Sequence, residues 1–153
     1  MDTVAASNAA VTAGYLLDGD AAGANATAAE SGIGGSNLGN LDLSGVNLMG
    51  VSLPNASLVG DNLANANLSN SNLQGTSLKG ANLTGANLAG ASLIGAVLRS
   101  ANLQGADVTN ANLAGATLQG ASFGGAEWSN TVCPDGTNRD FVGSTCVGHL
   151  GKL

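Results

Sequence analysis

Residues 81–105 read Ala81-Asn82-Leu83-Thr84-Gly85, Ala86-Asn87-Leu88-Ala89-Gly90, Ala91-Ser92-Leu93-Ile94-Gly95, Ala96-Val97-Leu98-Arg99-Ser100, Ala101-Asn102-Leu103-Gln104-Gly105. Traced outward in both directions, an apolar residue recurs at every fifth position from Leu38 to Trp128 without a break. Of these nineteen centres sixteen are Leu, and the others are Val108, Phe123 and Trp128. Two places before the centre a small residue is usual, Ala in twelve of nineteen cases, and between them comes Asn, Ser or Asp in most units. Two places after the centre stands Gly twelve times, Asn six times and Ser100 once. The unit is A-[NDS]-L-x-[GN], and Ile33 is a candidate for one more, degenerate copy.

A strict period of five matches neither the 3.6-residue repeat of a helix nor the two-residue repeat of a strand. On a helix the leucines would spiral round the axis and never form one buried face, and a Gly or Asn in every unit would weaken the helix severely. Gly and Asn are the residues that tolerate positive φ in tight turns. Each unit therefore reads as a short extended stretch followed by a turn, with one large and one small side chain facing a narrow interior. Repeats of this kind imply a solenoid, in which each coil touches only its neighbours and both ends need covering.

The composition agrees. Charged residues are 9% of the 153, against about a quarter in ordinary soluble domains, and aromatic residues are 3%. The core must therefore be built from leucine and alanine. No triplet glycine period is present, which excludes collagen. No apolar run is long enough to span a membrane. The net charge of −6 argues against direct nucleic-acid binding. The first positive residue is Lys79, so no basic n-region of a signal peptide opens the chain.

Across residues 36–130 these units resemble those of the pentapeptide repeat proteins. The resemblance implies an all-β fold, a right-handed quadrilateral β-helix in which four units make one turn and the central Leu and preceding small residue point inward. Nineteen or twenty units then give about five coils, a rod on the order of 25 Å long at the ~4.8 Å spacing of paired strands. Residues twenty apart should stack: Lys79 over Arg99, Asp107 over Glu127, and Asn62, Asn82 and Asn102 in a ladder.

Three segments follow: an N-terminal arm or cap over 1–30, the repeat body over 31–130, and a C-terminal cap over 131–153. In the arm, Val11, Tyr15, Leu16 and Leu17 suit a short amphipathic helix over the first coil, and Asp18-Gly19-Asp20 reads as a turn. Leu41, Val46 and Val51 occupy positions that are small elsewhere, which predicts a wider or differently packed first coil. Phe123, Trp128 and Phe141 mark the opposite end. Cys133 and Cys146 read as a disulfide closing the cap, in preference to a reactive or metal-binding pair, because His149 is the only histidine. A disulfide favours an extracellular or periplasmic setting. The Cys133-Pro134-Asp135-Gly136-Thr137…Cys146-x-Gly-His-Leu tail is similar to the ends of many bacterial pentapeptide proteins that look exported. Asp61 falls at an inward position, where an unpaired carboxylate is costly; the coil must bulge there, or Asp61 must reach water or a backbone donor.

No catalytic constellation can be assembled, since any Ser–His–Asp arrangement depends on His149 and no nucleophile elbow lies near it. The glycines serve turns and form no phosphate loop. An enzyme, a cofactor and a metal site are therefore not expected. The expected function is a structural or protein-binding scaffold, with Val59, Lys79, Val97, Arg99 and Gln119 on one face as the candidate contact surface. A second reading is end-to-end self-assembly into a filament or sheath. A third follows from the resemblance: some members of the family mimic duplex DNA and bind DNA gyrase. That mimicry needs rows of carboxylates, whereas the repeat carries Asp42, Asp61, Asp107 and Glu127 against Lys79 and Arg99.

Overall fold

The computed structural model of the chain describes residues 35, 37–139 and 146. The expected helix near Val11–Leu17, the turn at Asp18–Asp20 and the aromatic Phe141 lie outside them.

From Asn37 to Val132 the main chain climbs as a solenoid that closes every twenty residues. Sixteen parallel bridges join residues twenty apart, and they fall into four stacks. The first side runs Asn37–Ser57–Ser77–Val97–Thr117 and the second Asp42–Asn62–Asn82–Asn102–Ser122. The third runs Asn47–Asn67–Asn87–Asp107–Glu127 and the fourth Ser52–Asn72–Ser92–Asn112–Val132. Four five-residue units thus make one circuit, so the first and third sides are opposite, as are the second and fourth.

The hydrogen bonding repeats with the sequence. From Leu38 to Leu113 the N–H of each central Leu donates to the coil above, as from Leu83 to the Asn102 carbonyl at 2.7 Å. The residue before it donates to the coil below, as from Asn82 to the Asp61 carbonyl at 2.8 Å. The fifth residue donates upward again, as from Gly85 to the Gln104 carbonyl at 2.8 Å. At the corner, the Ala86 N–H returns to the Leu83 carbonyl at 3.0 Å. These bonds satisfy the buried main-chain groups that a coil of this kind would otherwise orphan.

Each corner is a turn with positive φ at its third residue alone, the pattern of type II. From residue 35 to 130 every fifth residue is left-handed, with φ between 54° and 79°. Thirteen of these are Gly, six are Asn and one is Ser100. That is why the sequence admits only Gly or Asn there with a single exception.

Inside the coils the leucine column from Leu38 to Leu118 is buried. Each such leucine contributes roughly 1.5–3 kcal/mol before chain entropy is subtracted. Between the leucines the small column changes character along the axis. The first coil carries the larger Leu41, Val46 and Val51; Leu41 and Val46 are half-buried and Val51 is fully buried. The coil beginning at residue 61 carries Asp61, Ala66, Ser71 and Thr76, all buried. The two coils above it carry Ala at every one of these positions through Ala116, all of them buried. After Asn130 the period ends in a short antiparallel pair, β1 (Thr131–Val132) with β2 (Asn138–Arg139).

Two substitutions separate the backbone requirement from packing. Gly95→Ala places a Cβ in open space and should cost only the left-handed penalty of about 1–2 kcal/mol. Gly90→Ala adds a Cβ 2.5 Å from Asn70 Oδ1 and should cost more. Urea midpoints of the two variants check this; equal midpoints at wild-type level would contradict it.

Candidate functional site

The second residue of each unit faces outward, and its side chain does a specific job. The carboxamide or carboxylate oxygen accepts the N–H two residues on, as Asn87 Oδ1 does from Ala89 at 2.9 Å and Asp107 Oδ1 from Thr109 at 2.8 Å. The same Asx bond recurs at Asn37, Asp42, Asn47, Asn62, Asn67, Asn72, Asn82, Asn102 and Asn112. It satisfies the one N–H of the unit that neither the coil-to-coil ladder nor the corner turn uses, and Asn and Asp are the residues built for it. The preference for Asn, Asp or Ser at this place is plain in the sequence; its bond to the second N–H onward was not foreseen.

On the second side these side chains also bond along the axis. Asn82 Nδ2 donates to Asn62 Oδ1 at 3.2 Å, and Asn62 Nδ2 donates to Asp42 Oδ1 at 3.0 Å. Asn102 joins the stack through its main-chain bridge to Asn82. Asp42 is fully exposed, and hydrogen bonds from Ser44 hold its carboxyl below the usual carboxylate value.

The candidate contact residues lie together on the first side. Val59, Lys79, Arg99 and Gln119 occupy successive coils at the fourth place of their units, linked through Gly60 N–H to the Lys79 carbonyl, Gly80 N–H to the Arg99 carbonyl and Ser100 N–H to the Gln119 carbonyl. Val97 bridges Ser77 and Thr117 on the same side. Lys79, Arg99 and Gln119 are exposed, and Val59 and Val97 are half-buried. Between residues 37 and 132 these are the two cations, and they sit one coil apart, about 4.8 Å along the axis. The outward acids of the bridged ladder stand elsewhere: Asp42 on the second side, and Asp107 bridged to Glu127 on the third, directly opposite; Asp135 is exposed beyond the ladder, after Pro134. The exposed apolar residues Met49 and Ile94 lie on the third and fourth sides and form no patch with this face.

The interior holds one polar layer, in the coil that begins at Asp61. Asp61 is 1% exposed, and its Oδ1 accepts the Leu41 N–H of the coil below at 2.9 Å. Of the alternatives open from the sequence, a backbone donor is the one it reaches. Its Oδ2 has no partner, and neither has Ser71 Oγ in the same coil. Burial pushes the Asp61 carboxyl up to about 6, against the opposing pull of the Leu41 and Asn40 N–H groups. Thr76, in contrast, is satisfied: its Oγ1 donates to the Leu53 carbonyl at 2.7 Å.

At the C-terminal end Phe123 and Trp128 pack with ring centroids 4.9 Å apart, and Cys133 and Cys146 are joined in a disulfide. Both cysteines are buried with the leucine column. Among the described residues no three His, Cys, Asp or Glu come together in a way that could hold a metal ion. No helix there is long and apolar enough to cross a membrane.

The family model for pentapeptide repeats matches eight copies over residues 62–99 and 91–127. The chain belongs to the pentapeptide repeat proteins. The solved members of this family to which it is similar are known as right-handed β-helices. HetL of the cyanobacterium Nostoc sp. strain PCC 7120, a pentapeptide repeat protein involved in heterocyst differentiation regulation, is 33% identical with a TM-score of 0.37; the match covers 69% of this chain and 50% of HetL. A pentapeptide repeat protein from the thylakoid lumen of Arabidopsis thaliana is 34% identical with a TM-score of 0.38, over 69% of this chain and 70% of that one. QnrB1, a plasmid-mediated fluoroquinolone resistance protein, is 22% identical with a TM-score of 0.49, over 63% of this chain and 60% of its own. The chain thus spans half the length of HetL and three-fifths of QnrB1. No curated protein matches it.

Breaking the disulfide should release a loop with a sequence separation of 13, costing about 3 kcal/mol. The urea midpoint of a Cys133→Ala/Cys146→Ala variant, and of the parent in reductant, should fall accordingly; an unchanged midpoint would show that the link adds nothing to the fold.

Proposed function

We propose that this pentapeptide repeat protein is a non-enzymatic scaffold that binds an acidic protein surface through its first side. What carries the reading is the segregation of charge. Lys79 and Arg99 stand one coil apart on a side whose bridged units carry no acid, flanked by the half-buried Val59 and Val97 and by Gln119. Two like charges at that spacing repel each other, and a carboxylate-bearing partner relieves the repulsion. The flat hydrogen-bonded wall holds them at fixed spacing, so little order has to be imposed on binding.

In this reading the body over 31–130 makes about five coils, an arm or cap over 1–30 precedes it, and the segment 131–153, tied by Cys133–Cys146, closes the other end. The disulfide suits an oxidising compartment. Nothing in this account calls for a cofactor, nucleic acid or a membrane.

Self-association is the second reading, and one observation favours it: Asp107 and Glu127 form a one-coil-apart acidic pair on the opposite side, matching the spacing of Lys79 and Arg99. Copies could then meet side to side, or stack end to end as a filament. Gyrase binding through DNA mimicry is less well supported, because only Asp42, the half-buried Asp107 and Glu127 face outward along the ladder and they form no continuous row.

The deciding experiment uses Lys79→Glu/Arg99→Glu in the whole chain, with binding partners captured from native extract and sedimentation followed over a concentration and salt series. Loss of a captured acidic partner by the variant, with a monomeric parent, is the expected result. Salt-sensitive oligomers of the parent that the variant abolishes would transfer the face to self-association. Identical capture and sedimentation of parent and variant would sink the proposal for this face.

A further inference from the structure

We propose that Asp61 is a proton-operated latch that ties the first coil to the coil above it. One bond of the first coil is out of place. At every other described corner in this part of the chain, the first residue of a unit donates its N–H three residues back, as Val46 does to Leu43 at 3.2 Å and Val51 to Leu48 at 3.1 Å. Leu41 instead donates to Asp61 Oδ1, and so leaves the Leu38 carbonyl without its usual turn donor.

Two other inward hydroxyls show what could fill that gap. Thr76 Oγ1 donates to the Leu53 carbonyl at 2.7 Å, and Thr131 Oγ1 to the Val108 carbonyl at 2.8 Å, each twenty-three residues back. The carbonyl twenty-three residues before Asp61 is that of Leu38. A neutral Asp61 carries its proton on Oδ2, the oxygen now without a partner, and can donate it to Leu38 as the threonines do. The two carboxyl oxygens then hold both groups of the corner, Leu41 N–H and Leu38 C=O. A charged Asp61 keeps the first bond, but leaves a buried anionic oxygen unpaired inside the solenoid.

The surroundings leave the proton to Asp61. Below it lie Asn40, Leu41 and the exposed Asp42; in its own coil are Asn62 and the uncharged Ser71 and Thr76; above are Ala81 and Asn82. Lys79 is exposed on the neighbouring side. Asp42, with its carboxyl held low, titrates well below this range. Burial raises Asp61 from 3.8 to about 6 in the folded chain. The folded state therefore binds the proton more tightly than the unfolded one. The stabilisation is complete below the unfolded value and is lost as pH rises through the folded one. In mild acid the latch holds both groups of the corner; at neutral pH it holds the Leu41 N–H alone and the first coil opens more readily.

The test is amide hydrogen-exchange protection, corrected for intrinsic rates, at residues 40–43 in the whole protein between pH 4.5 and 7.5. The opening constant of the first coil should rise roughly thirtyfold across that interval in the parent, from the shift at Asp61. Asp61→Asn, whose amide can accept from Leu41 and donate to Leu38, should be flat with pH and at pH 7.5 as protected as the parent at pH 4.5. Asp61→Thr should also be flat. A parent with no pH dependence would overturn the latch. So would a slope that survives in Asp61→Asn, which would assign the titration to another group such as His149, or an Asp61→Asn protein as loose at pH 7.5 as the parent.

Discussion

A left-handed residue at the end of each five-residue unit is the constraint on which this molecule depends. It turns the chain through one corner and returns the next N–H to the leucine carbonyl, as Ala86 does to Leu83. Four such corners close the coil after twenty residues and bring Asn82 over Asn62 and under Asn102. Without the corner the leucines have no common interior and the main-chain groups have no partners in the next coil. Glycine meets the requirement at least strain, Asn nearly as well, and Ser100 is tolerated once at φ 56°.

The rest of the unit follows from this corner. A leucine and an alanine fill the narrow space inside each extended stretch, and the residue between them faces out with its side chain bent forward onto the one N–H the ladder cannot use. Every position then has a task, which leaves the fourth residue of each unit as the place where sequence can vary. It is at these fourth places that Lys79 and Arg99 stand, one above the other, and that Met49 and Ile94 are exposed on other sides. In the proposed function, recognition is written on these walls, where the fold makes few demands.

Much of this was legible in the sequence, because a period of five states the corner, the buried column and the turn residues at once. The stacking of Lys79 with Arg99 and of Asp107 with Glu127 followed once four units were taken per circuit. What could not be read were bonds that depend on atoms twenty or more residues away. Thr76 and Thr131 look like imperfect alanines in the repeat, yet each donates to a carbonyl twenty-three residues earlier. Asp61 reads in the sequence as an irregularity that bulges the coil or seeks water or a backbone donor; its carboxylate takes over the Leu41 N–H and the parallel bridges to Asp42 and Asn82 continue on either side of Asn62. The antiparallel pair of Thr131–Val132 with Asn138–Arg139 has no signature in the repeat either, since it begins where the period stops.

The central claim, closure of the coil every twenty residues, is most directly tested by nuclear Overhauser contacts in the labelled protein. Cross-strand contacts should link residue pairs such as Asn67–Asn87, Asn87–Asp107 and Asn82–Asn102 along the whole ladder. Contacts at a separation of fifteen or twenty-five residues, or a helical pattern at three and four, would contradict the four-sided coil and the alignment of charges derived from it.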